Sequence, residues 1–191
     1  MIMCTFDNIL AVSNRTLCIR PFEEQIQRVC SHRPRALILR EKDLPEEGYY
    51  NLAKKVMEIC REYKVSCIPH TYVDAARRLG SRSVHLPLFL LERYQGNLDD
   101  FSVIGTSVHS VEEAEKAQRY GASYLTAGHI YVTDCKKGLP PRGLEFLREV
   151  CRSVDIPVYA IGGIRLHGEQ IHEVMDCGAA GGCVMSEMML L

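Results

Sequence analysis

The stretch Ser102-Val-Ile-Gly-Thr-Ser-Val-His-Ser-Val-Glu-Glu-Ala-Glu-Lys-Ala-Gln-Arg-Tyr-Gly-Ala-Ser-Tyr-Leu-Thr-Ala127 contains the unit on which the fold turns. It opens and closes on short apolar runs, Ser102–Gly105 and Tyr124–Ala127, each the length of a buried strand. Between them Ser110-Val-Glu-Glu113 forms a capping box. The serine hydroxyl takes the amide three residues on, and Glu113 reaches back to the cap. A helix over 110–120 follows. Gly121 supplies the left-handed position where that helix stops, a conformation that costs a residue without Cβ nothing. Strand, helix and strand in this order favour a parallel sheet.

Outward from this unit the same alternation covers the chain. Further strands are expected at Asn8–Val12, Ala36–Leu39, Cys67–Pro69, Ser83–Leu86, Pro157–Ile161 and Gly182–Met185. Further helices are expected near 22–31, 46–63, 72–79, 88–95, 141–152 and 167–176, with Gly80 ending the third. Eight strands and seven helices point to a compact (β/α)8 TIM barrel, although 191 residues fall short of the roughly 250 typical of that fold. The last helix is therefore a stub or missing. Its apolar end, Met188-Met-Leu-Leu191, is expected to pack on a partner chain or to fray. A doubly wound open sheet is the other architecture the pattern allows.

Composition narrows the function. The chain is 47% hydrophobic and 25% charged, without a Pro/Gly/Ser-rich linker, so one domain spanning 1–191 is the expectation. No apolar run nears the roughly 18 residues of a bilayer span, and no signal peptide precedes Asp7, which makes the cytoplasm the expected location and excludes the membrane as a partner. Nine cysteines include no Cys-x-x-Cys pair and suit buried thiols better than a disulfide frame or zinc. A net charge of −1, with basic residues scattered among acidic ones, gives no field to hold nucleic acid. A small molecule is the expected partner.

In a barrel the ligand sits over the C-terminal strand ends. After the seventh strand comes Ala160-Ile-Gly-Gly-Ile164, and after the eighth Cys183-Val-Met-Ser186. Gly162 and Gly163 let backbone amides approach an anion, and a helix beginning just past Met185 aims its free amides at the same point. Gly162, Gly163, Val184, Met185 and Ser186 are the expected phosphate site; the alternative is that the glycine pair makes a tight turn. After the second strand, Arg40 and Lys42 flank Glu41 and, on an extended segment, point the same way; they hold phosphate or carboxylate oxygens or are merely solvated loop charges. Ser107, past the fifth strand, can bond a ring or a carboxylate.

The sixth strand leaves through Ala127-Gly-His-Ile-Tyr-Val-Thr-Asp-Cys-Lys-Lys-Gly138. An imidazole directly at a strand end, with a reference pKa of about 6.5, can take and return a proton near neutrality. His129 is thus the catalytic candidate against the plainer reading of a structural histidine. His70, His85 and His109 lie on separate segments without short ligand spacing, so no bound metal is expected.

Taken together, these residues resemble the thiamine phosphate synthase/TenI superfamily. The match is carried by Ile9-Leu-Ala-Val-Ser-Asn-Arg-Thr-Leu-Cys18, Leu39-Arg-Glu-Lys-Asp-Leu44, Gly105-Thr-Ser-Val-His-Ser-Val-Glu-Glu-Ala114, and Gly128 through Gly143 followed by Ile161-Gly-Gly-Ile164. The resemblance implies a (β/α)8 barrel, commonly a homodimer, with a phosphorylated thiazole whose phosphate sits on Gly162/Gly163 and Val184–Ser186. The synthase branch couples a pyrimidine pyrophosphate to thiazole phosphate with magnesium. Its Asn-Asp pair falls on His70 and Thr71 here, its later Asp falls in Pro87-Leu-Phe-Leu90, its Gln on Ile38, and its second loop Thr on Cys135. Gly128-His129 followed by Thr133-Asp-Cys-Lys-Lys-Gly138 is instead similar to the TenI thiazole tautomerase. That likeness implies His129 as acid and base, Ser107, Thr133 and Lys136 orienting ring or carboxylate, Arg40 or Lys42 offsetting charge, and no cofactor. Asp134 or Glu41 is a candidate for tuning the imidazole. A synthase with altered ligands, which alone would need Mg2+, and a non-catalytic regulatory homologue are the alternatives.

Overall fold

A computed structural model describes residues 6–133, 136 and 138–191. Strand and helix alternate throughout: β1 (Ile9–Val12), α1 (Phe22–Ser31), β2 (Ala36–Leu39), α2 (Glu46–Glu62), β3 (Ser66–Pro69), α3 (Val73–Arg78), β4 (Ser83–Pro87), α4 (Leu88–Arg93), β5 (Val103–Val108), α5 (Val111–Arg119), β6 (Tyr124–Gly128), α6 (Gly143–Ser153), β7 (Val158–Ile161), α7 (Gln170–Asp176), β8 (Gly181–Val184) and α8 (Ser186–Leu190). The chain divides into two compact units, residues up to Val84 with Met185–Leu191, and His85–Val184.

In the first unit the strands run β3-β2-β1, in parallel register from Leu10 on Ala36 and from Ala36 on Ser66. β1 and β2 are buried at every position, as expected of parallel strands covered on both faces. α1 turns Ile26, Val29 and Cys30 inward and keeps Glu23 and Glu24 in its first turn, where carboxylates meet the positive end of the helix. In the second unit the order β8-β7-β6-β5-β4 again follows the sequence without reversal. A doubly wound sheet needs a reversal of strand order, so the architecture is (β/α)8.

Most expected boundaries agree within two residues, and three differences matter. β5 runs on to Val108, so Ser107 is a strand residue and not part of the following loop. Ser110 caps α5 as expected, its Oγ accepting from the Glu113 amide at 3.1 Å, but Glu113 reaches back to the amide of His109, at 2.5 Å, and not to the cap residue. The apolar C-terminal end is packed inside its own unit: Met188 and Met189 are fully buried, and the Met188 carbonyl accepts from Gln25 Nε2 at 2.6 Å. The chain itself covers these two methionines, whereas Leu190 of the same end stays 52% exposed. The left-handed stops at Gly80 and Gly121, φ 66° and 86°, are present, while Arg33 and Lys64 close α1 and α2 in the same conformation without glycine. Among the described residues no helix is long and apolar enough to cross a membrane.

Candidate functional site

The loop leaving β6 lies directly on the loop leaving β7. The Ile130 amide donates to the Ile161 carbonyl at 3.0 Å, and the Tyr131 amide to the Gly162 carbonyl at 2.9 Å. Backbone contact this close explains the glycine pair. Gly162 and Gly163 have φ of 100° and 73°; a Cβ on Gly162 would lie 2.8 Å from His129 Cα and closer still to its Cβ, and one on Gly163 would lie 2.7 Å from Tyr131 Cβ. The pair is therefore required to seat the His129 loop, whatever else the amides bind. Ile161 is in register with Cys183, so Gly162, the first residue past β7, stands level with Val184, the last of β8. Met185 and Ser186 come next in the chain, Ser186 opening the five-residue α8 of the first unit.

His129 follows β6 directly, across a cis Gly128–His129 peptide, and its ring is buried. Its Nε2 faces the Leu139 carbonyl at 3.4 Å. A carbonyl only accepts, so the neutral ring keeps its proton on Nε2 and leaves Nδ1 as the basic nitrogen. His129 carbonyl accepts from the Arg142 amide, and Gly128 carbonyl from His109 Nδ1 at 2.8 Å. His109, unremarkable in the sequence except as a non-ligand, thus anchors the residue before the catalytic candidate. Thr133 is half-exposed and Lys136 exposed, joined by the Lys136 amide bonding the Thr133 carbonyl at 3.1 Å. Asp134, Cys135 and Lys137 lie outside the described residues.

Ser107 is not a free loop hydroxyl. Its Oγ is 2.9 Å from His85 Nε2 and accepts from Thr126 Oγ1 at 2.9 Å.

In the first unit Arg40 and Lys42 do not continue a strand: β2 ends at Leu39 and the chain turns, the Leu44 amide meeting the Glu41 carbonyl. Glu41 is turned inward. Only 2% exposed, its carboxylate accepts from Ser13 Oγ at 2.7 Å and from the amide and guanidinium of Arg15, each at 3.1 Å. It ties the β2 loop to the end of β1. Desolvation and the charge of Arg40 lower the pKa of Lys42, so the two cations stand within each other's field. His70 is buried at the end of β3 with Nδ1 2.6 Å from Thr71 Oγ1. Thr71 has φ 73°, rare for a β-branched residue.

Residues 9–188 match the thiamine monophosphate synthase family. The chain belongs to that family. A thiamine-phosphate synthase of Methanobrevibacter smithii is 37% identical over 153 residues, 79% of this chain and 72% of the relative. One from Pyrococcus furiosus is 33% identical over 176 residues, 90% and 82% of the two chains. The solved thiamine phosphate pyrophosphorylase of Pyrococcus furiosus superposes with a TM-score of 0.79 at 31% identity, covering 98% of this chain and 88% of that one. A pyrophosphorylase from Bacteroides thetaiotaomicron, at 20% identity and TM-score 0.62, shares the fold. The family places the chain among enzymes of thiamine biosynthesis with the (β/α)8 architecture seen here.

The coupling reaction of this family implies a divalent cation, and the residues present do not suit one. Where the likeness puts its oxygen ligands stand His70 and Thr71, already bonded to each other, and Leu88–Leu90, inside α4. Hard cations take carboxylate and carbonyl oxygens. Among the described residues no three His, Cys, Asp or Glu side chains are grouped to hold a metal ion.

Proposed function

We propose that the chain acts on a thiazole phosphate in thiamine biosynthesis, and that its chemistry is proton transfer by His129, isomerising a carboxylated exocyclic-alkene thiazole phosphate to its aromatic tautomer. The relatives' names by themselves favour the other reading, coupling of a pyrimidine pyrophosphate to thiazole phosphate, and that is the better supported of the two on the comparisons. One observation carries the isomerase reading: a buried imidazole follows β6 where the synthase branch has proline, while the magnesium positions carry His70, Thr71 and apolar residues.

The step needs one proton removed from the ring carbon beside the carboxylate and one delivered to the exocyclic carbon. A single imidazole with Nδ1 free does both in turn, and aromatisation drives the reaction without metal or redox cofactor. In this reading the phosphate is held by amides of Gly162, Gly163 and Val184–Ser186, Ser107, Thr133 and Lys136 orient ring or carboxylate, and Arg40 or Lys42 offsets negative charge. The partner is this small phosphorylated molecule. A homodimer is proposed from the family likeness alone.

A single-turnover assay with and without Mg2+ separates the two chemistries. Expected are metal-independent tautomer conversion, its loss in His129→Asn with ligand binding kept, and no thiamine phosphate from the two coupling substrates. Magnesium-dependent thiamine phosphate formation, with conversion in the variant equal to wild type, would replace isomerase by synthase.

A further inference from the structure

Behind Ser107 stands a set of side chains from three strands. Ser107 on β5 is in register with Thr126 on β6, and Gly105 with Tyr124 two residues before. The Tyr124 phenol fills the space a Cβ on Gly105 would take. That missing side chain lets the phenol reach His85 on β4: Tyr124 Oη is 2.9 Å from His85 Nδ1, and His85 Nε2 is 2.9 Å from Ser107 Oγ. His85, Tyr124 and Thr126 are buried, and Ser107 alone is half-exposed.

Counting protons fixes the direction of these bonds. A neutral imidazole has one N–H, yet His85 bonds through both nitrogens. With the proton on Nδ1, the Tyr124 oxygen would accept it, and the phenol's own proton would be buried without a second acceptor, at a cost of about 1–3 kcal/mol. With the proton on Nε2, the phenol donates to Nδ1 and Nε2–H donates to Ser107 Oγ, which leaves no buried donor idle. Burial holds the Tyr124 pKa well above its ordinary value, so the phenol keeps the proton this arrangement needs. Thr126 Oγ1 donates to the same serine oxygen. Ser107 thus receives two hydrogen bonds, and its own proton has no taker inside the network.

We infer that Tyr124 and His85 lock Ser107 as an obligate hydrogen-bond donor, so that the site presents it to an acceptor, a carboxylate or phosphate oxygen of the ligand, and disfavours a donor there. His85 and Tyr124 are positioning residues: they act on the ligand only through the serine. The ligand half of this inference rests on the thiazole phosphate reading, whereas the proton arrangement does not.

Two measurements test it. In a ¹⁵N-detected imidazole spectrum of the unliganded protein, His85 is expected as the neutral Nε2–H tautomer, and Tyr124→Phe is expected to mix in the Nδ1–H form. Calorimetric titration with carboxythiazole phosphate is expected to give about 10–100-fold weaker binding for Ser107→Ala, the size of a lost hydrogen bond to a charged group. Tyr124→Phe and His85→Leu should weaken binding in the same direction. His85→Gln, whose amide can donate to Ser107 and accept from Tyr124, should restore much of it. An Nδ1–H tautomer in the wild type, or equal binding by wild type, Ser107→Ala and Tyr124→Phe, would overturn the inference. If the wild type bound no thiazole phosphate at all, the proposed function would fall, and the nitrogen spectrum would still decide the relay.

Discussion

Gly162→Ala is the perturbation whose cost the structure specifies most closely. Two terms add. At φ 100° an L side chain is strained by about 1–3 kcal/mol. The new methyl would also lie 2.8 Å from His129 Cα, where ordinary contact begins at 3.4 Å, so the two loops must part by more than half an ångström and loosen the Tyr131–Gly162 hydrogen bond. Overpacking of this kind costs about 1–3 kcal/mol, giving about 2–6 kcal/mol together. Gly168→Ala is the matched control, with φ 119° and nothing within 4 Å of the added carbon, so it carries the conformational term alone. Urea unfolding of both variants without ligand measures the difference. Gly162→Ala is expected to lose about 1–3 kcal/mol more than Gly168→Ala, about 2–4 °C of Tm for each kcal/mol in a chain of this size. Equal losses within about 0.5 kcal/mol would refute the close-approach argument and return the glycine to an anion-binding role alone.

Lys42→Met is expected to raise stability at neutral pH while weakening binding of an anionic ligand. The folded state lowers the pKa of this amine below its ordinary 10.5, so the charged form is penalised on folding, fully below the folded pKa, and the penalty fades as pH rises toward the unfolded value. Urea midpoints at pH 7 and about pH 11 check this: a gain that grows with pH contradicts the sign. Met188→Ala is expected to cost about 2–5 kcal/mol, because the side chain is fully buried. Sedimentation velocity of the variant should match the wild type; dissociation of a wild-type oligomer by this change would mean the methionine serves a partner instead.

The sequence by itself determined the alternation of strands and helices, since each signal is local. The apolar runs, the serine at the start of α5 and the glycines after α3 and α5 act within a few residues of one another. It also placed His129 at a strand end, because a strand's last residue is set by its own short run. Proton direction and close packing were not legible, because they depend on residues brought together from different strands. The chain marked Gly162 as an anion cradle but not as the seat of the His129 loop that lies against it, and Gly105 carried no signal until Tyr124 filled its space. Glu41, flanked by two cations in the chain, turned inward to Ser13 and Arg15, and Ser107 acquired a fixed proton only through His85. Hydrogen bonds satisfied across a sheet are chosen by register and burial, which a one-dimensional pattern sets only after the fold has formed.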